Sequence, residues 1–206
     1  MRGTWSATSA GGNFTLMTQP SPDIIDDFVG NAHGNFARVK ELLTQYPSLV
    51  NANASWNERA IEAASQVGSV EIIEFLIAAG APTSICTEAV LGHKDKVQAY
   101  LDSDPAQAHA KGAHGISVLY HAIIRGQADI AHLLLSRGAD VNAGEGGSPP
   151  IHGAVMFNRP DMIEWLLARG ANVNLKNYEG KTPLKAALDR NKNELTDRLR
   201  QHGGVE

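Results

Sequence analysis

The sequence has a single cysteine and no long apolar segment. Cys86 stands alone among 206 residues, which excludes an internal disulfide and is typical of a reducing compartment, so we expect a cytoplasmic protein. No apolar run approaches the ~20 residues that a transmembrane helix needs, so we expect no membrane partner. The net charge is only −4, which does not indicate the basic surface that nucleic-acid binding requires, so we expect no nucleic-acid partner either.

The motifs of common enzymes and metal sites are also missing. The sequence contains no phosphate-binding loop, no nucleophile elbow and no dinucleotide-binding fingerprint. Three histidines lie near one another without the spacing of a metal site: His109, His114 and His121. We therefore predict no metal and no cofactor, and we favour a protein that is not an enzyme.

Three other reactive side chains have structural interpretations. Cys86 has no histidine at the spacing of a catalytic motif, and we interpret it as a small buried residue at the start of a helix. Glu62 and Glu88 fall at nearby positions of successive helices, where two carboxylates could perform acid–base chemistry. We interpret both as solvated surface charges.

The sequence does contain a pattern of paired short helices, clearest between residues 116 and 142. Apolar residues recur there at helical spacing in two runs, and each run is followed by a glycine, Gly126 or Gly138. Glycine adopts the left-handed conformation that ends a helix at the lowest cost. Each helix has only about two to three turns, so it cannot bury its apolar face alone and needs neighbouring units.

The same frame recurs about every 33 residues, a period typical of one repeat family. The motifs are T-P-L-x-x-A at 182–187, P-I-H-x-A at 150–154, and G-A-[DN]-V-N at 138–142 and 170–174. They resemble ankyrin repeats, and the resemblance extends from about residue 26 to residue 203. It implies an all-α solenoid of stacked helix–turn–helix units joined by short β-hairpin loops. It also implies that His152 bonds the backbone of a loop, which is a structural role.

The domain organisation follows from this repeat. Residues 1–21 are rich in glycine, serine and threonine, lack periodicity, and are predicted to form a flexible leader. Residues 22–206 are predicted to form one domain of about six repeats: 22–53, 54–84, 85–110, 111–143, 144–176 and 177–206. The first repeat and the last helix, Asn193 to Gln201, differ from the pattern, as expected of terminal caps that meet water.

The period breaks once, between the second and third repeats. Gly68 and Gly92 are 24 residues apart, whereas 34 residues separate both Gly34 from Gly68 and Gly92 from Gly126. About ten residues are missing where the loop should be. We therefore predict no projecting hairpin between Gly80 and Thr87.

The resemblance also implies where a partner would bind. In ankyrin arrays the two residues before the first-helix turn face the concave groove, beside the loops. In the four central repeats these residues are mostly apolar: Gln66-Val67, Val90-Leu91, Ile124-Arg125 and Met156-Phe157. A contiguous apolar patch with polar ends is typical of an interaction surface. The predicted partner-binding residues are Trp56, Val67, Leu91, His114, Ile124, Arg125, Met156, Phe157 and Tyr178.

The predicted function is a monomeric module that binds a protein partner in this groove. The expected anchors are Trp56, Arg125, Phe157 and Tyr178, because aromatic and arginine side chains typically dominate interfaces. Two alternatives remain. The groove could be an apolar pocket of a small-ligand-binding protein or an enzyme, with polar groups from His114, His121 and Arg125. Alternatively, the patch could meet its own copy in a self-associating scaffold.

Overall fold

The computed structural model of the chain describes residues 19–206, so most of the predicted leader lies outside the described residues. Within that range the chain forms twelve α-helices in six consecutive pairs. They are α1 Pro22–Asn31, α2 Phe36–Gln45, α3 Ala60–Gln66, α4 Val70–Ala78, α5 Ile85–Leu91, α6 Lys94–Ser103, α7 Val118–Ile124, α8 Ala128–Ser136, α9 Pro150–Met156, α10 Pro160–Leu167, α11 Pro183–Leu188 and α12 Asn193–Gln201. None of these helices is long and apolar enough to cross a membrane.

Local sequence signals explain where the helices begin and end. The hydroxyl of Ser117 accepts a hydrogen bond from the backbone N–H of Tyr120 and so caps the start of α7. Gly92 ends α5 in the left-handed conformation, with φ of 79°. Asn158 takes the place of glycine between α9 and α10 with φ of 53°, because asparagine tolerates this conformation better than most residues.

The helices form two layers. The first helix of each pair packs against the first helices of its neighbours, from α1 through α3, α5, α7 and α9 to α11. The second helices flank this row, as in the contacts of α2 with α4, α6 with α8 and α10 with α12. The predicted all-α solenoid is confirmed. The β-hairpin loops are less regular than expected, since the described residues contain only two isolated bridges, Asn53 with Arg59 and Lys111 with Ser117.

The break in the period has the predicted consequence. Residues 81–84 run directly into α5 and contain neither a turn nor a strand, so no hairpin projects there. Units two apart then meet over the short third unit. Nε2 of His114, in the fourth unit, lies 3.4 Å from Oε2 of Glu58 in the second. A Cβ placed on Gly68 would lie 2.9 Å from Cδ of Arg125. The stack therefore bends towards the side that carries these residues.

The hydrophobic core divides at the same junction. One cluster of buried side chains runs from Phe28 to Ala81 and includes Val90, and a larger one runs from Ile85 to Leu199. Polar groups are buried between the second and third units, where the hydroxyl of Ser65 lies 3.3 Å from that of Thr87. Each cluster is built from several units, because a single helix pair cannot bury its own apolar face.

Candidate interaction surface

One side of the stack carries most of the exposed apolar side chains. We call it the loop-side face: it consists of the loops 53–59, 111–117, 144–149 and 177–182 together with the exposed ends of the first helices. Four large apolar side chains are exposed within residues 19–206, and three lie on this face: Trp56 (42%), Met156 (43%) and Tyr178 (64%). The fourth, Val205, is at the C-terminal end. Exposed apolar groups gathered on one side indicate an interaction surface.

Two residues expected to face the groove are instead buried. Val90 and Ile124 are both 0% exposed, so neither side chain faces the groove as its position in the repeat predicts. Val90 packs in the hydrophobic cluster that runs from Phe28 to Ala81, whereas Ile124 is covered by the closure of the second and fourth units over the third. Cδ1 of Ile124 would lie 3.4 Å from a Cβ on Gly68, two units away. The closure separates an N-terminal part of the face, around Trp56, from a C-terminal part around Met156.

The other predicted contact residues differ in exposure. Val67, Leu91 and Phe157 are half-buried, whereas His114 and Arg125 are exposed. The side chain of Arg125 extends along the Gly68 turn. The structure therefore brings these residues to one face, but does not form one continuous groove from them.

The N-terminal part is organised around a buried carboxylate. Glu58 is 1% exposed, and it accepts hydrogen bonds from Nε1 of Trp56, at 2.6 Å, and from the amide of Gln66. His114 approaches it at 3.4 Å, and Nε2 of His33 at 3.8 Å. Glu58 was not predicted as a site residue, and no local motif indicates it, because its neighbours come from three different units. This network holds the Trp56 indole in place with its N–H already occupied.

The C-terminal part is built on the ring of Tyr120. A Cβ on Gly153 would lie 2.7 Å from this ring, so only glycine permits the close approach of α7 and α9. The Tyr120 hydroxyl points towards Sδ of Met156, at 4.0 Å, and burial raises the pKa of Tyr120 to about 12. Phe157 packs against the small cluster that Tyr120 forms with Ile116 and Ile124. A small cavity of about 20 Å³ lies beside Tyr120 and Met156.

His152 and His121 both bond backbone carbonyl groups. Nε2 of His152 lies 2.7 Å from the carbonyl oxygen of Leu175, which confirms the predicted bond to a loop backbone. His121 is buried, its Nδ1 lies 2.8 Å from the carbonyl oxygen of Ser117, and burial lowers its pKa to about 4. His121 is therefore not available as a polar group of the groove.

Cys86 is buried, as predicted. A Cβ on Gly112 would lie 3.7 Å from Sγ of Cys86 and 3.1 Å from Cε1 of His121, so the thiol and the imidazole are neighbours. Burial, together with the charge of Glu62, raises the pKa of the Cys86 thiol to about 12. A nucleophilic cysteine needs the opposite shift, because the thiolate is the reactive form. This pair therefore does not support nucleophilic catalysis.

Glu88 is buried, which makes its interpretation as a surface charge wrong. It is 1% exposed, and it occupies a helix position where four other first helices carry alanine: Ala64, Ala122, Ala154 and Ala187. Its carboxylate lies 2.7 Å from Nδ1 of His93 and 3.2 Å from Nζ of Lys96. Burial raises the pKa of Glu88, but hydrogen bonds from His93, Thr83 and Lys96 outweigh this effect, so the net pKa lies below its ordinary value.

This environment predicts a pH-dependent contribution to stability. Because the folded-state pKa lies below the ordinary value of 4.5, the contribution is present above that value and is lost as the pH falls through the folded-state pKa. We expect Glu88→Gln to be less stable than the wild type near pH 7, and we expect this difference to shrink as the pH is lowered below 4.5. Urea unfolding of both proteins measures this, with exposed Glu71→Gln as the control. A constant stability difference across that range would contradict the assignment.

Comparisons with known proteins agree with this architecture. A sequence model described as ankyrin repeats matches residues 31–177 in three copies, so the number of six repeats stays a prediction. The human BCL-6 corepressor-like protein 1 is 37% identical over 113 residues, a match that covers 54% of this chain and 6% of that protein. The chain thus aligns with only a small part of that relative. The helix pairs, the His152 contact and the matched region together show that the chain belongs to the ankyrin-repeat family.

Proposed function

We propose that the chain binds a protein partner on the loop-side face, which would be the concave face of the array, and mainly at its C-terminal part. Ankyrin repeats are generally protein-interaction modules. The observation that supports this site is the gathering of exposed Trp56, Met156 and Tyr178 on one face, since within residues 19–206 the one other exposed large apolar side chain is Val205 at the C-terminal end. Aromatic residues and methionine are enriched in interfaces.

The dimensions of the face favour a protein over a small ligand. Small-molecule pockets typically enclose about 300–1,000 Å³. The cavity beside Tyr120 and Met156 has only about 20 Å³. A larger space of about 440 Å³ exists near Glu88 and Tyr100, but it lies away from the loop-side face. A space of about 250 Å³ does lie between the loops 111–117 and 144–149, but it is smaller than that range and its lining includes the polar residues His109, Lys111 and Asp140. The apolar pocket that the ligand-binding alternative requires therefore has little support at the loop-side face.

Tyr178 is the best residue with which to test the proposal. Its side chain is 64% exposed, so its removal should leave the fold intact. Phe157 is half-buried against Ile116 and Tyr120, so Phe157→Ala would lower stability as well as binding. A control variant should lie in the outer layer, which the second helices form. Glu164, on the second helix α10, forms ion pairs with Arg198 and His202, so its replacement would not be inert. Glu74, exposed on the second helix α4, is a better control.

The experiment is affinity capture with the immobilised full chain, followed by titration of the captured protein. Tyr178→Ala should weaken binding by about 1–4 kcal/mol, the range for an aromatic anchor, and leave the melting temperature nearly unchanged. Glu74→Ala should change neither. Equal binding by wild type and Tyr178→Ala would overturn the proposed site. We also propose a cytoplasmic monomer; a dimer in solution that Tyr178→Ala dissociates would instead support self-association.

A further inference from the structure

The small cavity on the C-terminal part of the loop-side face has no acidic residue in its wall. It lies between the loops of the last two units and the first helices α7, α9 and α11. Its lining residues are Tyr120, Gly147, Ser148, His152, Val155, Met156, Asn177, Tyr178, Ala186 and Arg190. The polar members can donate hydrogen bonds, whereas the lining contains no aspartate or glutamate.

Two of these donors are free of strong protein partners. Oδ1 of Asn177 accepts from the backbone N–H groups of Glu179 and Lys181, both at 3.0 Å, which fixes the amide and leaves Nδ2 on its other side. Within residues 19–206, Nδ2 has no protein acceptor. Arg190 donates to the carbonyl of Ala186 at 3.2 Å and has no carboxylate within 4 Å among the same residues. Asp189, the residue before Arg190, pairs with Lys181 at 3.0 Å and not with Arg190.

The unpaired state of Arg190 sets it apart from most arginines of the described chain. Five others contact carboxylates: Arg38, Arg59, Arg137, Arg198 and Arg200. Arg169 stacks on Trp165, with its guanidinium carbon 3.8 Å from the ring centre. The three remaining ones, Arg125, Arg159 and Arg190, follow the first helices of the last three units. Although the net charge of the chain is −4, the arginines of the described residues that lack a carboxylate or aromatic partner thus all lie just after these three first helices.

The size of the cavity limits what can enter it. A volume of about 20 Å³ accommodates a group of roughly the size of one water molecule. One oxygen atom of a carboxylate at the tip of a side chain meets this limit, whereas a whole free metabolite would not be enclosed. Met156 and Tyr178, exposed at the rim, can cover apolar side chains next to that carboxylate.

We propose that this subsite binds an aspartate or glutamate of an extended, acidic peptide segment of a partner protein. The carboxylate would accept hydrogen bonds from Ser148, Asn177 and Arg190, and an adjacent apolar residue would lie on Met156 and Tyr178. Bidentate pairing with a planar guanidinium gives such contacts both strength and direction. The inference rests on the proposed function and specifies its partner.

Selection of peptides tests this directly. A phage-displayed library of random dodecapeptides is selected against the immobilised full chain, and enriched peptides are synthesised and titrated by fluorescence anisotropy. We expect enrichment of aspartate or glutamate next to an apolar residue. Replacement of the acid by its amide in the peptide should weaken binding about tenfold or more, as expected for loss of a charge-assisted hydrogen bond.

A double-mutant cycle assigns the effect to Arg190. Arg190→Gln should reduce the preference for the acidic over the amide peptide, Arg190→Lys should restore part of it, and Arg200→Gln, on the second helix of the same unit, should behave as wild type. Thermal melts confirm that each variant is folded. An acidic preference in Arg190→Gln as large as in the wild type would overturn the subsite.

The selection also separates this inference from the proposed function. Peptides that lack an acid but lose binding in Tyr178→Ala would overturn the carboxylate subsite and leave the proposed face standing. Peptides that bind Tyr178→Ala as tightly as wild type would contradict both. Failure to select any peptide would also overturn the inference, because an extended segment should be recognised outside its parent protein.

Discussion

Replacement of Leu134 by alanine is expected to lower the free energy of unfolding by about 2–5 kcal/mol, the usual cost of truncating a buried leucine. Leu134 lies on α8, is 0% exposed, and belongs to the largest hydrophobic cluster, which runs from Ile85 to Leu199. In a repeat array each unit is stabilised mainly by its neighbours, so a cavity in one unit weakens the units on both sides. Leu166→Ala, on α10, should have a similar effect because Leu166 is equally buried.

Urea unfolding followed by circular dichroism measures this loss. Arg198 is a poor surface control, since it pairs with both Glu164 and Glu194. Glu74→Ala is suitable, because Glu74 is exposed on α4, and it should change stability by less than about 0.5 kcal/mol. Equal midpoints for Leu134→Ala and Glu74→Ala would show that the burial of the second helices is wrongly assigned.

The local features of the fold could be predicted from the sequence because they depend on nearby residues. The last helix has the predicted bounds, Asn193–Gln201, and Gly126 adopts the predicted left-handed conformation, with φ of 70°. The absence of a hairpin between Gly80 and Thr87 follows from chain length alone, since the link is too short to go out and return. The bond between His152 and the Leu175 carbonyl came from the family resemblance.

The surface was harder to predict because it depends on how strongly the array bends. Position in the repeat places Val90 and Ile124 on the groove, yet both are buried, and Ile124 is covered because the second and fourth units meet over the third. The missing hairpin was visible in the sequence. The bend that results from it depends on contacts between residues as distant in sequence as Glu58 and His114, and no periodic pattern predicts such contacts.

Buried carboxylates were a second source of error. Glu88 occupies an alanine position of the repeat, and a charged residue there was interpreted as exposed. The structure buries it with His93 and Lys96, both of which reach it from the start of the following helix. An acid at a core position followed within eight residues by two basic side chains was a usable signal.

A partner on the loop-side face should leave a footprint there and leave the outer helices unchanged. The C-terminal part joins the loops 144–149 and 177–182 to the ends of α9 and α11, and a bound segment would cover these backbones together. The outer helices α10 and α12 lie in the other layer, so their amide exchange should change little. The expectation assumes small backbone movement on binding, as is usual for pre-formed interfaces.

Hydrogen–deuterium exchange of the full chain, alone and saturated with its captured partner or a selected peptide, is the most direct measurement. We predict slower exchange in residues 145–157 and 177–190, with no change in α10 and α12, and loss of the footprint in Tyr178→Ala at the same concentrations. Protection confined to α10 and α12, with residues 145–157 and 177–190 exchanging as in the free protein, would show that the partner binds the outer face and would contradict the proposed site.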